Sequence, residues 1–239
     1  MKKTRNAIVT GATAGIGLAV AREFLERGHN VYICGRQAER LTTALASLVA
    51  DFGSERIAGS TCDVRSLAST EAMVAMAGTR FGGIDTLINN AGIGFVAAFE
   101  DVTPDQWQGI IDTNLTGVFN CCRAALPWLK KSDLSDIVNL GSRAGRYSFR
   151  GGTGYNTTKF GLQGFTEALF LDLHQYGSGL ASLHLVPWRL IWLAQHQKIG
   201  TSHLRMSRTW LATSLRPTRE RLSIGLKFAR LVLDNSWQE

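Results

Sequence analysis

Short, largely apolar runs alternate with amphipathic stretches along most of this chain. Asn6-Ala7-Ile8-Val9, Val31-Tyr32-Ile33-Cys34, Arg56–Thr61, Thr86-Leu87-Ile88, Ile137-Val138-Asn139-Leu140 and Leu180–Val186 have the length and composition of strands buried on both faces. Between them the apolar residues recur at helical spacing. Leu18, Val20, Ala21, Phe24 and Leu25 mark one helix, which Gly28 ends, and Leu41, Leu45, Leu48 and Val49 mark the next. Pro104 opens a long one carrying Trp107, Ile110, Ile111, Leu115, Val118 and Phe119, and Leu162, Phe165 and Leu169 mark the last. Strand and helix in strict alternation predict an α/β fold, a doubly wound parallel sheet covered on both faces.

At 239 residues the chain suits a single domain of this kind. The pattern holds to Pro187 and then changes. Residues 188–239 carry four of the six Trp and nine Lys/Arg against three Asp/Glu, with weak periodicity. The net charge of +7 therefore belongs almost wholly to this segment, and the nearly neutral body argues against a nucleic-acid partner. The expected division is a core at 1–187 and an atypical segment at 188–239, whose abrupt composition reads as a change of reading frame. Ser223-Ile224-Gly225-Leu226 is the candidate for a last strand.

Met1–Arg5 runs into the first strand without a signal-type apolar region. The longest apolar run, Leu180 to Ala194, is interrupted by His184, Pro187 and Arg189, which argues against a membrane span. Cys34, Cys62, Cys121 and Cys122 form no C-x-x-C pair and read as buried apolar residues of a reducing, cytoplasmic protein. The five His are scattered, so no metal site is expected.

The first strand ends in Thr10-Gly11-Ala12-Thr13-Ala14-Gly15-Ile16-Gly17 and a helix follows. The glycines alone fit a simple tight turn as well, but strand, glycine turn and helix in that order favour a dinucleotide phosphate site: glycine lets the backbone approach the pyrophosphate, and the helix start offers free N–H groups. After the second strand no carboxylate stands where an NAD site usually carries one. Arg36 stands there, either a solvated surface residue or a partner for a 2′-phosphate, and it favours NADP(H). Asp63, with Val64 at the end of the third strand, has two readings, an adenine contact or a cap for the helix starting near Ser66. The small and amide residues Asn89-Asn90-Ala91-Gly92 suit close cofactor approach and side-chain ties between strands. Asn114 is out of place inside a helix, either a bystander or functional. The fifth strand delivers Gly141-Ser142. Arg143, Arg146 and Arg150 follow in a loop, as solvated charge or as anion contacts.

Tyr155 and Lys159 stand four apart, on one helix face. An ammonium one turn away favours phenolate over phenol, which suits proton exchange in a transition state. The same spacing also occurs on ordinary surface helices.

Together, Thr10-Gly-x-x-x-Gly15-x-Gly17, Asn89-Asn-Ala-Gly92, Asn114, Ser142 and Tyr155-x-x-x-Lys159 resemble the short-chain dehydrogenase/reductase family over residues 6–187. The resemblance implies a Rossmann sheet and an oxidoreductase moving hydride between a nicotinamide and a carbonyl or secondary-alcohol substrate. It implies that Tyr155 exchanges the proton, Ser142 orients the oxygen and Lys159 tunes Tyr155 and holds the ribose. Asn114 would hold a water that links Lys159 to solvent. The implied dinucleotide contacts are Gly11, Gly15, Ile16, Gly17, Arg36, Asp63, Val64, Asn90, Ala91, Gly92, Tyr155, Lys159 and Pro187. A homodimer or homotetramer built on the Asn114 and Tyr155 helices is the implied assembly. The chain departs from the family after Pro187, where Pro-Gly and a downstream Thr are usual. The alternative that follows is a catalytically impaired dinucleotide-binding protein, a sensor or partner subunit.

Overall fold

The computed structural model describes residues 4–133 and 135–174, together with the backbone of a strand at Leu180–Pro187. Six strands, β1 (Asn6–Thr10), β2 (Asn30–Gly35), β3 (Ile57–Thr61), β4 (Thr86–Asn89), β5 (Ser135–Gly141) and β6 (Leu180–Pro187), form one sheet in the order β3-β2-β1-β4-β5-β6. The β1–β2, β1–β4, β2–β3 and β4–β5 pairs are parallel, with Val9 opposite Ile33 on one side and Ile88 on the other. The expected doubly wound Rossmann arrangement is present. The expectations for residues 188–239, including a last strand at 223–226, lie outside the described residues.

The strands form because they are apolar on both faces and helices cover both. Ile8, Val9, Ile33, Leu87, Ile88 and Ile137 are almost wholly buried, each worth about 2 kcal/mol of transfer energy. The covering helices are α1 (Gly15–Glu26), α2 (Ala38–Phe52), α3 (Leu67–Phe81), α4 (Pro104–Ile111), α5 (Gly117–Leu129) and α6 (Thr153–His174). Helix α1 buries Val20, Ala21, Phe24 and Leu25, and Gly28 follows it at φ +82°. Helix α2 buries Leu41, Ala44 and Leu48 and leaves Val49 towards solvent, so its apolar stripe is narrower than expected. Helix α4 starts with a capping box, Thr103 accepting from the Gln106 N–H while the Gln106 side chain accepts from the Thr103 N–H.

The long helix expected from Pro104 is interrupted. Residues Asp112–Thr116 form a single π-helical turn between α4 and α5. The wider turn inserts an extra residue and changes the helix phase. Ile110 and Val118 are buried, Asn114 is turned inward, and Phe119 is left exposed. Among the described residues no helix is long and apolar enough to cross a membrane.

The order of strands reverses between β1 and β4, where connections leave to opposite sides and a crevice opens at the strands' carboxyl ends. The glycine turn after β1 and Asn90-Ala91-Gly92 after β4 face each other there.

Candidate active site

A cleft of about 800 Å³ lies along the carboxyl ends of β1 to β4. Of the residues expected to contact a dinucleotide, Gly11, Ile16, Gly17, Arg36, Asp63, Val64, Asn90, Ala91 and Gly92 line it, and Tyr155 and Lys159 do not. Thr13, Gln37, Arg40 and Arg65 line it as well and were not foreseen. Gly15 adopts φ +57° in the turn without lining the cleft.

The glycine turn is held open by the chain opposite. Asn90 Nδ2 donates to the carbonyls of Thr10 (2.8 Å) and Gly11 (3.0 Å). Thr10 Oγ1 accepts from the N–H groups of Asn90 (3.1 Å) and Ala91 (3.0 Å). The approach is close enough to exclude any side chain: a Cβ on Gly17 would stand 2.4 Å from Asn90 Nδ2, and one on Gly11 2.8 Å from Ala91 Cα. These glycines thus bring bare backbone to the mouth of α1, whose first N–H groups and dipole favour an anion. Cleft, cradle and helix start fit a dinucleotide.

Charge at the far end is divided. Arg65 lies in a bidentate salt bridge to Asp63 (Nη2–Oδ2 2.5 Å, Nε–Oδ1 2.9 Å), and this bonding lowers the Asp63 carboxyl below its ordinary value. Ser66 caps α3 by accepting from the Ser69 N–H, so Asp63 is not the cap, and Asp63 lines the cleft. Arg36 and Arg40 sit on the same rim, and neither is in a salt bridge among the described residues. Helix α2 starts between them at Gln37, whose side chain makes no capping bond, leaving first-turn N–H groups open.

A second group gathers next to Ile93, at the near end of the cleft. Strand β5 ends in Gly141 and hands over to Ser142, which is buried. Its Oγ accepts from the Ala144 N–H (3.1 Å), so its single hydroxyl proton stays available to a ligand. Helix α6 presents half-buried Tyr155 and buried Lys159. Lys159 Nζ donates to the Leu140 carbonyl (2.7 Å) and lies 5.7 Å from the centre of the Tyr155 ring. Burial brings the Lys159 ammonium down from 10.5 to about 8.

Asn114 is clamped rather than free. Its Oδ1 accepts from the Ile93 N–H (2.9 Å), and its Nδ2 donates to the Ile93 carbonyl (2.8 Å) and to Thr158 Oγ1 (3.1 Å). The side chain therefore ties the loop after β4 to α6 between Tyr155 and Lys159. Asn156 does the same on the other side, donating to the carbonyls of Ala144 (2.7 Å) and Tyr147 (3.1 Å). Gly94 lies against the reactive ring, where a Cβ would stand 3.1 Å and 3.3 Å from two Tyr155 ring carbons. Neither Asn156 nor Gly94 carried a signal that sequence reasoning used, although Asn156 lies inside the Tyr155–Lys159 stretch. The side chain of Pro187 lies outside the described residues.

A phosphate cradle at a switch point, with Ser, Tyr and Lys beside it, defines a dinucleotide-dependent oxidoreductase acting on a carbonyl/alcohol pair. The chain belongs to the short-chain dehydrogenase family, whose family model matches residues 5–183. It is 36% identical over 173 residues to a 3alpha-hydroxysteroid dehydrogenase of Mediterraneibacter gnavus, covering 72% of this chain and 69% of that protein. It is 37% identical over 168 residues to an NADP-dependent 3-hydroxy acid dehydrogenase of Salmonella typhi, covering 70% of this chain and 66% of that protein. A variant of actinorhodin polyketide ketoreductase solved with NADPH matches at TM-score 0.72 and 36% identity, covering 77% of this chain and 69% of that one. The chain thus spans about two thirds of each relative's length.

Proposed function

We propose that this protein uses NADP(H) and that Tyr155 exchanges the substrate proton, with Ser142 and Lys159 preparing it. The observation that carries the reading is the buried Lys159, fixed on the Leu140 carbonyl and 5.7 Å from the Tyr155 ring centre, on a helix that Asn114 ties to the cleft residue Ile93. A bound nicotinamide dinucleotide supplies or accepts the hydride. Ser142 donates its hydroxyl proton to the substrate oxygen and so orients it. Tyr155 gives its proton to that oxygen in reduction and takes it back in oxidation. The Lys159 ammonium, 5.7 Å from the ring centre, offsets the negative charge left on the phenol oxygen.

Arg36 and Arg40 support the choice of NADP(H). Two guanidinium groups that form no salt bridge among the described residues, flanking an uncapped helix start, suit a phosphate monoester on the adenosine ribose. The name of the NADP-dependent relative and the NADPH in the solved ketoreductase agree with this. Exposed Phe119 on α5 and Phe160 and Leu171 on α6 support assembly into a homodimer or homotetramer through these helices.

The test is NADPH consumption against a panel of ketones and aldehydes, for the wild type and for Tyr155→Phe. Turnover should fall by about 10²- to 10⁴-fold in the variant while NADPH binding persists. Turnover that survives Tyr155→Phe would remove Tyr155 from the proton step. Binding without turnover by either protein would favour a sensor or partner subunit.

A further inference from the structure

The π-helical turn and the start of α5 carry Asn114, Gly117 and Asn120 at a spacing of three, all buried. Thr113, beside the first of them, lines the cleft itself. Asn114 holds the loop at Ile93, at the near end. Gly117 and Asn120 meet the opposite end, at the residues that follow β3. Asn120 is 4% exposed, and its Nδ2 donates to the carbonyls of Val64 (2.9 Å) and Arg65 (3.2 Å), across 56 and 55 positions of chain. An amide inside a helix is mildly unfavourable by propensity, and the donor group of this one goes to that single segment. Gly117 lies against the same segment: a Cβ there would stand 2.7 Å from Val64 Cγ2 and 3.2 Å from Val64 Cβ. Its φ of −61° and ψ of −40° are ordinary for a helix, so contact rather than backbone conformation calls for glycine here.

The segment held in this way is one wall of the cleft, lined by Asp63, Val64 and Arg65. Asp63 is fixed from α3: its N–H donates to Ser69 Oγ (3.2 Å), and its carbonyl accepts from the Ser66 N–H (3.0 Å). Val64 and Arg65 are fixed from α5, by the Asn120 amide. The Arg65 guanidinium takes the Asp63 carboxylate in its bidentate bridge, so both charged side chains keep their places only while the backbone between them keeps its own. A buried carbonyl that loses its donor turns away or recruits water, and either change displaces the wall it belongs to.

We propose that Asn120 and Gly117 are positioning residues for the dinucleotide: from behind the wall they set Asp63, Val64 and Arg65 at the adenosine end, and with them the affinity for the adenosine half that NADP(H) and NAD(H) share. Neither residue lines the cleft, and both act through Val64 and Arg65. Asn120 draws the two carbonyls towards α5, and Gly117 leaves Val64 the room to follow. Removing the amide releases the wall from α5, and a methyl at 117 pushes it the same way, into the cleft. The loss therefore falls on both dinucleotides, whereas a guanidinium that reads the 2′-phosphate serves NADP(H) alone. Asn114 braces the near end from the same stretch of helix, so the π-helical turn and α5 together hold both ends of the cleft.

The proposal rests on the dinucleotide reading of the cleft, and the experiment separates the two. The full-length wild type, Asn120→Leu and Gly117→Ala are titrated with NADPH and NADH by fluorescence. The same proteins are titrated by calorimetry with 2′,5′-ADP, which carries the adenosine half alone. Asn120→Leu keeps the volume and removes the donor. Gly117→Ala keeps the donor and gains in helix propensity, so it carries the test if the first variant does not fold. Each variant should bind all three ligands about tenfold more weakly, a loss of about 1.4 kcal/mol each. A merely structural role would lower the number of binding-competent molecules and leave Kd where it was. An unchanged Kd for 2′,5′-ADP in either folded variant, or a loss for NADPH without one for NADH, would overturn the proposal. Wild type that binds none of the three ligands would overturn the dinucleotide reading itself, and the proposal with it.

Discussion

Lys159 offers the sharpest physical test of the site, because its charge is both useful and costly. Burial is what lowers its ammonium from 10.5 to about 8. At 1.36 kcal/mol per tenfold change in proton affinity, keeping the charge in the folded protein costs about 3 kcal/mol at neutral pH. The sign follows from proton counting. Between about 8 and 10.5 the unfolded chain still holds the proton and the folded one has released it, so this group's contribution to stability rises with pH. Integrated from pH 7 to 9.5, the gain is about 2 kcal/mol. Lys159→Met removes the titration. It also strips the Leu140 carbonyl of its donor, at about 1–3 kcal/mol, which roughly offsets the relieved charge burial at pH 7. The two proteins should therefore be of similar stability at pH 7, and the wild type should pull ahead by about 2 kcal/mol at pH 9.5. Urea titrations of the dinucleotide-free proteins at both values read this as a relative midpoint shift of about 1 M, for a slope of about 2 kcal/mol/M. Other titrating groups are shared and cancel in the difference. Stabilities that move in parallel from pH 7 to 9.5 would refute the desolvated ammonium, and with it the energetic basis for Lys159 assisting Tyr155.

The adenosine end and the Tyr155 ring yield two further expectations. Arg36→Ala and Arg40→Ala should each weaken NADPH by about 10- to 100-fold, the worth of a charge-assisted contact, and leave NADH within about twofold by fluorescence titration. An equal loss for both cofactors would remove that arginine from the 2′-phosphate role. Gly94→Ala places a methyl 3.1–3.3 Å from the Tyr155 ring, so the ring must tilt. Its kcat should fall by about tenfold or more while the Kd for NADPH is unchanged, and an unaltered kcat would show that the ring tolerates the displacement.

Much of the fold and part of the site were legible because the relevant information is local. Buried parallel strands are apolar runs, and Gly11 to Gly17 must be read as a turn wherever a strand precedes and a helix follows. Tyr155 and Lys159 share a face by helical arithmetic alone. Asn114 was legible as an anomaly but not in its detail. Its spacing suited one continuous helix, and only the packing of the loop at Ile93 against α6 turns it inward through a π-helical turn. Asp63 remained two-sided in the sequence, because whether Asp63 or Ser66 caps α3 depends on a bond to the Ser69 N–H.

What escaped the sequence depends on distant contacts. Arg40 reads as an ordinary exposed residue in the first turn of α2 until β2 and the glycine turn are placed beside it. Gly94 reads as a loop glycine until the Tyr155 ring is set against it. Cys34 and Cys62 are far apart in the chain and lack a recognisable spacing, so they read as filler. The β2–β3 register sets Cys34 opposite Ser60, and both cysteines come to line the same cleft. The carboxyl ends of neighbouring parallel strands converge on one crevice, so residues that look unrelated in sequence are selected together there.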